Sequence, residues 1–227
     1  MSETTRPAFY ALTPGGWRDY VTLLHPPYTL WHLSYVVIGA AIAPHWRPGI
    51  LGLALVAFFL GMGVAAHALD ELNGRPLQTR IGRRTLVALA VVSLLGAAAI
   101  GVAAALATTP WLLAFVAAGS FIAVAYNLEL LGGHFHSDLW FALAWGALPV
   151  LATYVAVSED VGLAAVVAAA FAALMSLAQR TLSTPVRSMR RRDGQLTELG
   201  GELEQALRLL GGATVALALA LVLVRVT

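Results

Sequence analysis

The stretch Ala66-His67-Ala68-Leu69-Asp70-Glu71-Leu72-Asn73-Gly74-Arg75-Pro76-Leu77 gathers ionisable groups at the end of a long apolar segment. His67, Asp70 and Glu71 stand at i, i+3 and i+4, so a helix projects them from one face. Two carboxylates and an imidazole so placed can hold a cation or move a proton. Ionisable groups at membrane depth are costly to desolvate, which marks them as functional candidates. The plainer reading of the same residues is a helix end whose side chains reach the headgroups, with Asn73-Gly74 as its C-cap. A second polar run, His134-Phe135-His136-Ser137-Asp138, offers two imidazoles and a carboxylate for a transition metal or a proton shuttle. The imidazoles share a face only in an extended segment, and Asp138 reads better as a helix N-cap. His32, between Trp31 and Tyr35, reads as a packed or interfacial histidine rather than a haem ligand.

The elements that must position these groups follow from composition. Of the 227 residues, 59% are apolar and only 11% charged, and the mean hydropathy is +0.78. Such a chain is solvated by lipid better than by water. A hydrocarbon core roughly 30 Å thick is crossed by about 20 apolar helical residues. Seven segments suggest spans: Tyr28 to Pro44, Ile50 to Leu69, Thr85 to Ala107, Pro110 to Tyr126, Leu139 to Val157, Val161 to Leu182, and Ala206 to Val224. Their apolar runs are continuous, which favours helices over the alternating strands of a barrel. The predicted architecture is an all-α polytopic bundle of about seven spans, a single domain over residues 1–227. An interfacial helix is predicted at 15–25 and an amphipathic cytoplasmic connection at 184–204. No apolar run precedes Val21, so no cleavable signal peptide is expected.

All fourteen basic residues are arginine, and the chain has no cysteine. The latter excludes disulfides, iron–sulfur clusters and cysteine nucleophiles. With the N-terminus cytoplasmic, only Arg47 and Arg225 fall clearly outside, and the other twelve lie inside or at the inner boundary. The polar connections near residues 70–84, 127–138 and 183–205 then open on one face of a prokaryotic inner membrane, where they can build one site. The arginines are explained by topology and lack an aromatic stacking platform, so no nucleic-acid partner is expected.

Several motifs fall in a shared order. Asp70 followed by Arg75-Pro76-Leu77 resembles the first Asp-rich motif of the UbiA superfamily of intramembrane prenyltransferases, N-D-x-x-D-x-x-x-D with a trailing R-P-L. Leu24-His25-Pro26-Pro27-Tyr28-Thr29-Leu30 is similar to the segment opening that family's first helix. Tyr126-Asn127-Leu128-Glu129 falls at its polar loop, and Ala144-Trp145-Gly146-Ala147-Leu148-Pro149 resembles its A-x-G-x-L-P pattern. The likeness covers about residues 20 to 155. It implies transfer of a prenyl group from an isoprenoid diphosphate to a lipophilic acceptor among membrane lipids. Asp70 would hold Mg²⁺, with Glu71 or Asn73 as a shifted oxygen ligand; Arg75 would contact phosphate, and Tyr126 or Asn127 would face the reacting carbon. His67 and Asp138 would border the substrate. Ala66, His67 and Gly74 replace three residues of the first motif. The second Asp-rich motif is replaced by Gln179-Arg180-Thr181-Leu182-Ser183-Thr184-Pro185-Val186-Arg187, so Arg180 and Arg187 are expected to clamp phosphate directly. The alternative is a non-catalytic relative that binds a quinone, an isoprenoid lipid or a partner protein.

Overall fold

The computed structural model describes residues 6–227, with no side-chain detail for Asp193. The chain is 76% helix, and no strand occurs among the described residues. Eight helices follow in order among them: α1 (Trp17–Leu23), α2 (Pro26–Ala41), α3 (Pro48–Leu72), α4 (Arg83–Ala107), α5 (Leu112–Asn127), α6 (Asp138–Ser158), α7 (Leu163–Asp193) and α8 (Glu198–Val226). Five of these, α3, α4, α6, α7 and α8, are long and apolar enough to cross a membrane. The first and fourth of the seven expected spans correspond to α2 and α5. Each has 16 residues, about 24 Å of helix and less than the hydrocarbon core.

Prolines at the first turns of α2 and α3 cost no hydrogen bond there and preset the backbone. Inside α3 and α6 lie π-helical stretches, Phe59–Ala66 and Ala142–Ala147. Wide turns of this kind frequently occur at functional sites. The first ends where His67 begins the polar end of α3. Pro149, which lacks an N–H and crowds the preceding turn, stands two residues past the end of the second.

α2 and α6 form the centre. Trp31, Tyr35 and Ile38 of α2 are buried with Ala147 and Val150 of α6, Ala169 and Ala172 of α7, and Leu207 and Ala218 of α8. The backbones meet closely at two glycines. A Cβ on Gly39 would lie 2.5 Å from the Val150 carbonyl oxygen, and one on Gly146 would lie 2.5 Å from that of Ala172. Small residues permit such approach where apolar helices gain little hydrophobic drive from meeting each other in lipid. Arg225 of α8 closes the far end by donating to the carbonyls of Ala41 and Ala43.

Most of the expected amphipathic connection at 184–204 is helical. α7 runs through Pro185 to Asp193, Gly194 ends it at a positive φ of 67°, and α8 already begins at Glu198 with Thr197 as its N-cap. Only a short turn separates them. The predicted interfacial helix is α1, with Trp17 and Tyr20 exposed. Its buried Asp19 accepts from Gly15 N at 2.9 Å and from Arg80 N at 3.0 Å, which ties it to the loop after α3. Asp138 is not an N-cap. Ser137 holds that position and accepts from Trp140 N, while Asp138 is the first helical residue.

Candidate functional site

The end of α3, the end of α5, the start of α6 and the polar part of α7 meet at one end of the bundle. Because α7 continues as a helix, Arg180 and Arg187 stand seven residues apart and share a face. Arg180 is engaged: its Nε donates to Asp138 Oδ1 at 2.9 Å and its Nη1 to Tyr126 Oη at 2.7 Å, and it lies 5.3 Å from the Phe141 ring. Arg187 differs. Among the described residues its exposed guanidinium has no hydrogen bond or ion pair, yet its charge acts on Tyr10, His25 and Asp70, on Tyr28 together with Arg190 and Arg208, and on Tyr126 together with Arg180. Asp70 likewise has no hydrogen-bond partner among them, and the charge of Arg187 acts on it.

Two expected metal ligands have other employment. Glu71 is fully buried; its Oε1 accepts from Thr79 N and Thr79 Oγ1 at 2.8 Å each, and its Oε2 from Leu77 N at 3.0 Å. Asn73 is exposed and donates to the Asn127 carbonyl at 3.2 Å. Its place before Gly74, whose φ is +90°, matches the C-cap reading. Arg75, expected on phosphate, instead donates to the carbonyls of Thr79 and Ile81 at 2.9 Å. Asn127 is buried and returns its amide to the Ala123 carbonyl at 2.7 Å, so it supports the helix end rather than opening into the chamber. Among the described residues no three His, Asp or Glu side chains converge as a metal cluster.

His67 donates from Nδ1 to the Gly63 carbonyl at 3.0 Å, which leaves Nε2 as the lone-pair nitrogen of the neutral ring. It stacks on His25, ring centroids 4.0 Å apart. His25 was read from sequence only as part of the helix-opening segment. It takes a left-handed backbone, φ 46°, immediately before Pro26, and its Nε2 is buried without a partner. A non-glycine residue held there is strained, and such strain collects at functional sites. Its Nδ1 lies 2.7 Å from Tyr10 Oη. Burial, and then the His67 ring beside it, hold the His25 pKa well below 6.5; burial and Tyr28 push the Tyr10 phenol well above 10. The pair Pro26-Pro27 was the signal for a fixed turn, but nothing local marked His25 as facing His67.

His136 stacks on Tyr126 at 4.4 Å and donates from Nδ1 to the Tyr126 carbonyl. His134 is exposed and packs edge-on to Phe135, so the two imidazoles of that run do not act together. His32 is buried, with Nε2 3.0 Å from Gln179 Oε1, in keeping with a packed histidine.

Beside these polar groups Tyr126, Phe141 and Trp145 form an aromatic cluster, with Trp145 4.7 Å from Tyr126 and 5.3 Å from Phe141. Trp145 and Ala66 also line a cavity of about 600 Å³ between α3, α4, α5 and α6. That cavity does not stop at mid-bundle but reaches Arg47 and Thr108 at the opposite end. Trp145 thus belongs both to the aromatic cluster at the ionisable end and to the wall of the apolar cavity. No protein-family model, curated protein or solved structure matches the chain.

Proposed function

We propose that this chain is a UbiA-like intramembrane prenyltransferase that takes an isoprenoid diphosphate by its head at the Asp70–Arg187 chamber and lays the tail into the apolar cavity. One observation carries the reading. Asp70 and Arg187, a carboxylate and a guanidinium without partners among the described residues, lie near enough at the polar end of the bundle for the charge of Arg187 to act on Asp70, and Trp145 of the aromatic cluster there lines the apolar cavity. Arg187 offers a planar fork of donors that matches phosphate oxygens bidentately. Mg²⁺ is commonly held by one or two carboxylates together with substrate phosphates, so Asp70 suits a single ion of that kind. When bound, the ion would offset charge on the departing diphosphate. Arg180, fixed by Asp138, holds Tyr126 toward the chamber. The faces of Tyr126, Phe141 and Trp145 suit an allylic cation, and the apolar space beyond excludes water from it.

The reading includes seven spans, a prokaryotic inner membrane and a cytoplasmic chamber, supported by the arginine asymmetry. A second reading, a non-catalytic member that only binds an isoprenoid lipid, is favoured by the engagement of Glu71 and Asp138, which leaves Asp70 alone of these three carboxylates without a partner among the described residues. Binding of a non-hydrolysable isoprenoid thiolodiphosphate to purified protein, with and without Mg²⁺, tests both. Asp70→Ala and Arg187→Ala are each expected to weaken binding tenfold or more, about 1.4 kcal/mol. Binding without diphosphate release from the natural type of donor, across lipophilic acceptors, selects the second reading. Undetectable binding removes both.

A further inference from the structure

A groove on the outside of the bundle has an arginine at its polar end. It holds about 330 Å³ and runs between the end of α3, the start of α4 and the residue after α5. Its wall shares no residue with the larger cavity. On α4, Arg83, Val87 and Val91 stand at i, i+4 and i+8, so they lie along one broad face. Val87 is 43% exposed and Val91 50%. Leu72 and Leu128 add apolar wall, and Asn73, which ends α3, lines the groove with Arg83, the first residue of α4.

With α4 across the membrane, apolar side chains left outside the bundle are covered by acyl chains. From Arg83 to Val91 the groove follows α4 for about 12 Å, at 1.5 Å per residue. That is most of the depth of one leaflet, roughly 15 Å. A chain lying in it therefore brings its headgroup to Arg83. Asn73 gives its amide to the Asn127 carbonyl, which leaves Arg83 as the side-chain donor at that end. Arg83 and Arg84 are exposed, and among the described residues neither guanidinium makes a hydrogen bond or an ion pair. No acid stands in the first turn of α4, and among the described residues none lines the groove. Glu129, next to Leu128, has its carboxylate 4.0 Å from His136 Nδ1. Arg47, which lines the larger cavity, is by contrast already paired with Glu159 at 2.8 Å.

We propose that this groove holds one acidic phospholipid, its phosphate on the Arg83 guanidinium and one acyl chain along Val87 and Val91, with Arg84 adding charge beside it. A guanidinium meets phosphate oxygens through a planar fork of donors. A zwitterionic lipid offers the same phosphate but carries a cation that two arginines repel, so the site prefers a headgroup of net negative charge. The proposal stands whether or not the chain transfers prenyl groups.

The full chain purified in detergent supplies the test, with lipid adducts counted by native mass spectrometry. The probes are dioleoyl phosphatidylglycerol and dioleoyl phosphatidylcholine, which differ only in the headgroup beyond the phosphate. One phosphatidylglycerol is expected to bind about tenfold or more tightly than phosphatidylcholine, as two arginines near an anionic headgroup allow. Arg83→Gln should weaken phosphatidylglycerol about fivefold or more, the order expected of one arginine at an anionic surface, and leave phosphatidylcholine within about twofold. Phosphatidylcholine binding that survives in this variant also reports an intact groove. Arg191→Gln, which removes the same charge from the end of α7, should change neither lipid. Val87→Phe, which fills the apolar part of the groove from an exposed position, should weaken phosphatidylglycerol as much as Arg83→Gln does. Equal affinity for the two lipids, an effect of Arg191→Gln as large as that of Arg83→Gln, or phosphatidylglycerol binding untouched by Val87→Phe overturns the proposal.

Discussion

Removing the Glu71 carboxylate separates a structural role for this residue from a metal-binding one. The side chain is fully buried and receives three donors from the loop after α3: Leu77 N, Thr79 N and Thr79 Oγ1. Glu71→Ala strips all three of their acceptor in a place closed to water. An orphaned buried donor costs about 1–3 kcal/mol, so the lower bound for three is about 3 kcal/mol before any relaxation of the loop. For a chain of this size that corresponds to a fall of about 6–12 °C in the thermal midpoint. Glu71→Gln keeps one oxygen but turns an N–H toward one of the donors, so about one bond is lost, about 1–3 kcal/mol. Thermal unfolding in detergent, followed by circular dichroism, reads both variants. Thr79→Val supplies a cycle: with its hydroxyl gone, the cost of Glu71→Ala should drop by about 1 kcal/mol, because one of the three donors no longer needs an acceptor. A Glu71→Ala protein that unfolds within 2 °C of the unaltered chain, on the order of 1 kcal/mol or less, and yet loses Mg²⁺-dependent ligand binding would refute this reasoning and make Glu71 a ligand.

Two further outcomes are expected. His25 is held neutral in the folded chain, with its pKa below the 6.5 of a free imidazole by burial, by His67 and by the charge of Arg187. The unfolded chain therefore binds the extra proton first as pH falls. Stability contributed by this residue is complete above about pH 6.5 and is lost progressively below it, with a slope of up to about 1.4 kcal/mol per pH unit. The thermal midpoint between pH 7 and pH 5 should fall less steeply in His25→Gln; parallel curves would remove His25 from the account. Single cysteines at Gln78 and Ser188, on opposite sides of the polar end, should both be labelled from the cytoplasmic side of inverted and right-side-out vesicles. Labelling of either from the other side breaks the proposed topology.

Much of the fold is legible in the sequence because its signals are local. Continuous apolar runs without alternation specify helices, and Asn73-Gly74 marks the end of one. The sequence also locates the polar end of α3 and the aromatic Trp145. It does not show that residues 184–193 continue α7, because Pro185 and the arginines resemble the end of a span. Pro185 removes only the N–H that would meet the Thr181 carbonyl, and α7 continues through it to Asp193.

The roles of individual charged groups were not legible, and the reason is physical. Residue type and spacing state what a side chain can bond, but not whether a neighbour from a distant segment has already bonded it. Glu71 and Asp70 are adjacent and chemically alike, yet the loop at 77–79 folds onto Glu71 and leaves Asp70 without a hydrogen-bond partner among the described residues. Arg180 and Arg187 share a helix face, yet Asp138, 42 residues away in the chain, occupies one and not the other. His25 meets His67 only because α1, α2 and α3 converge at one end of the bundle. Composition and periodicity determine that the chain forms apolar helices and where their polar ends fall. Which of those polar groups remain free for a ligand is decided by the packing of helices far apart in sequence.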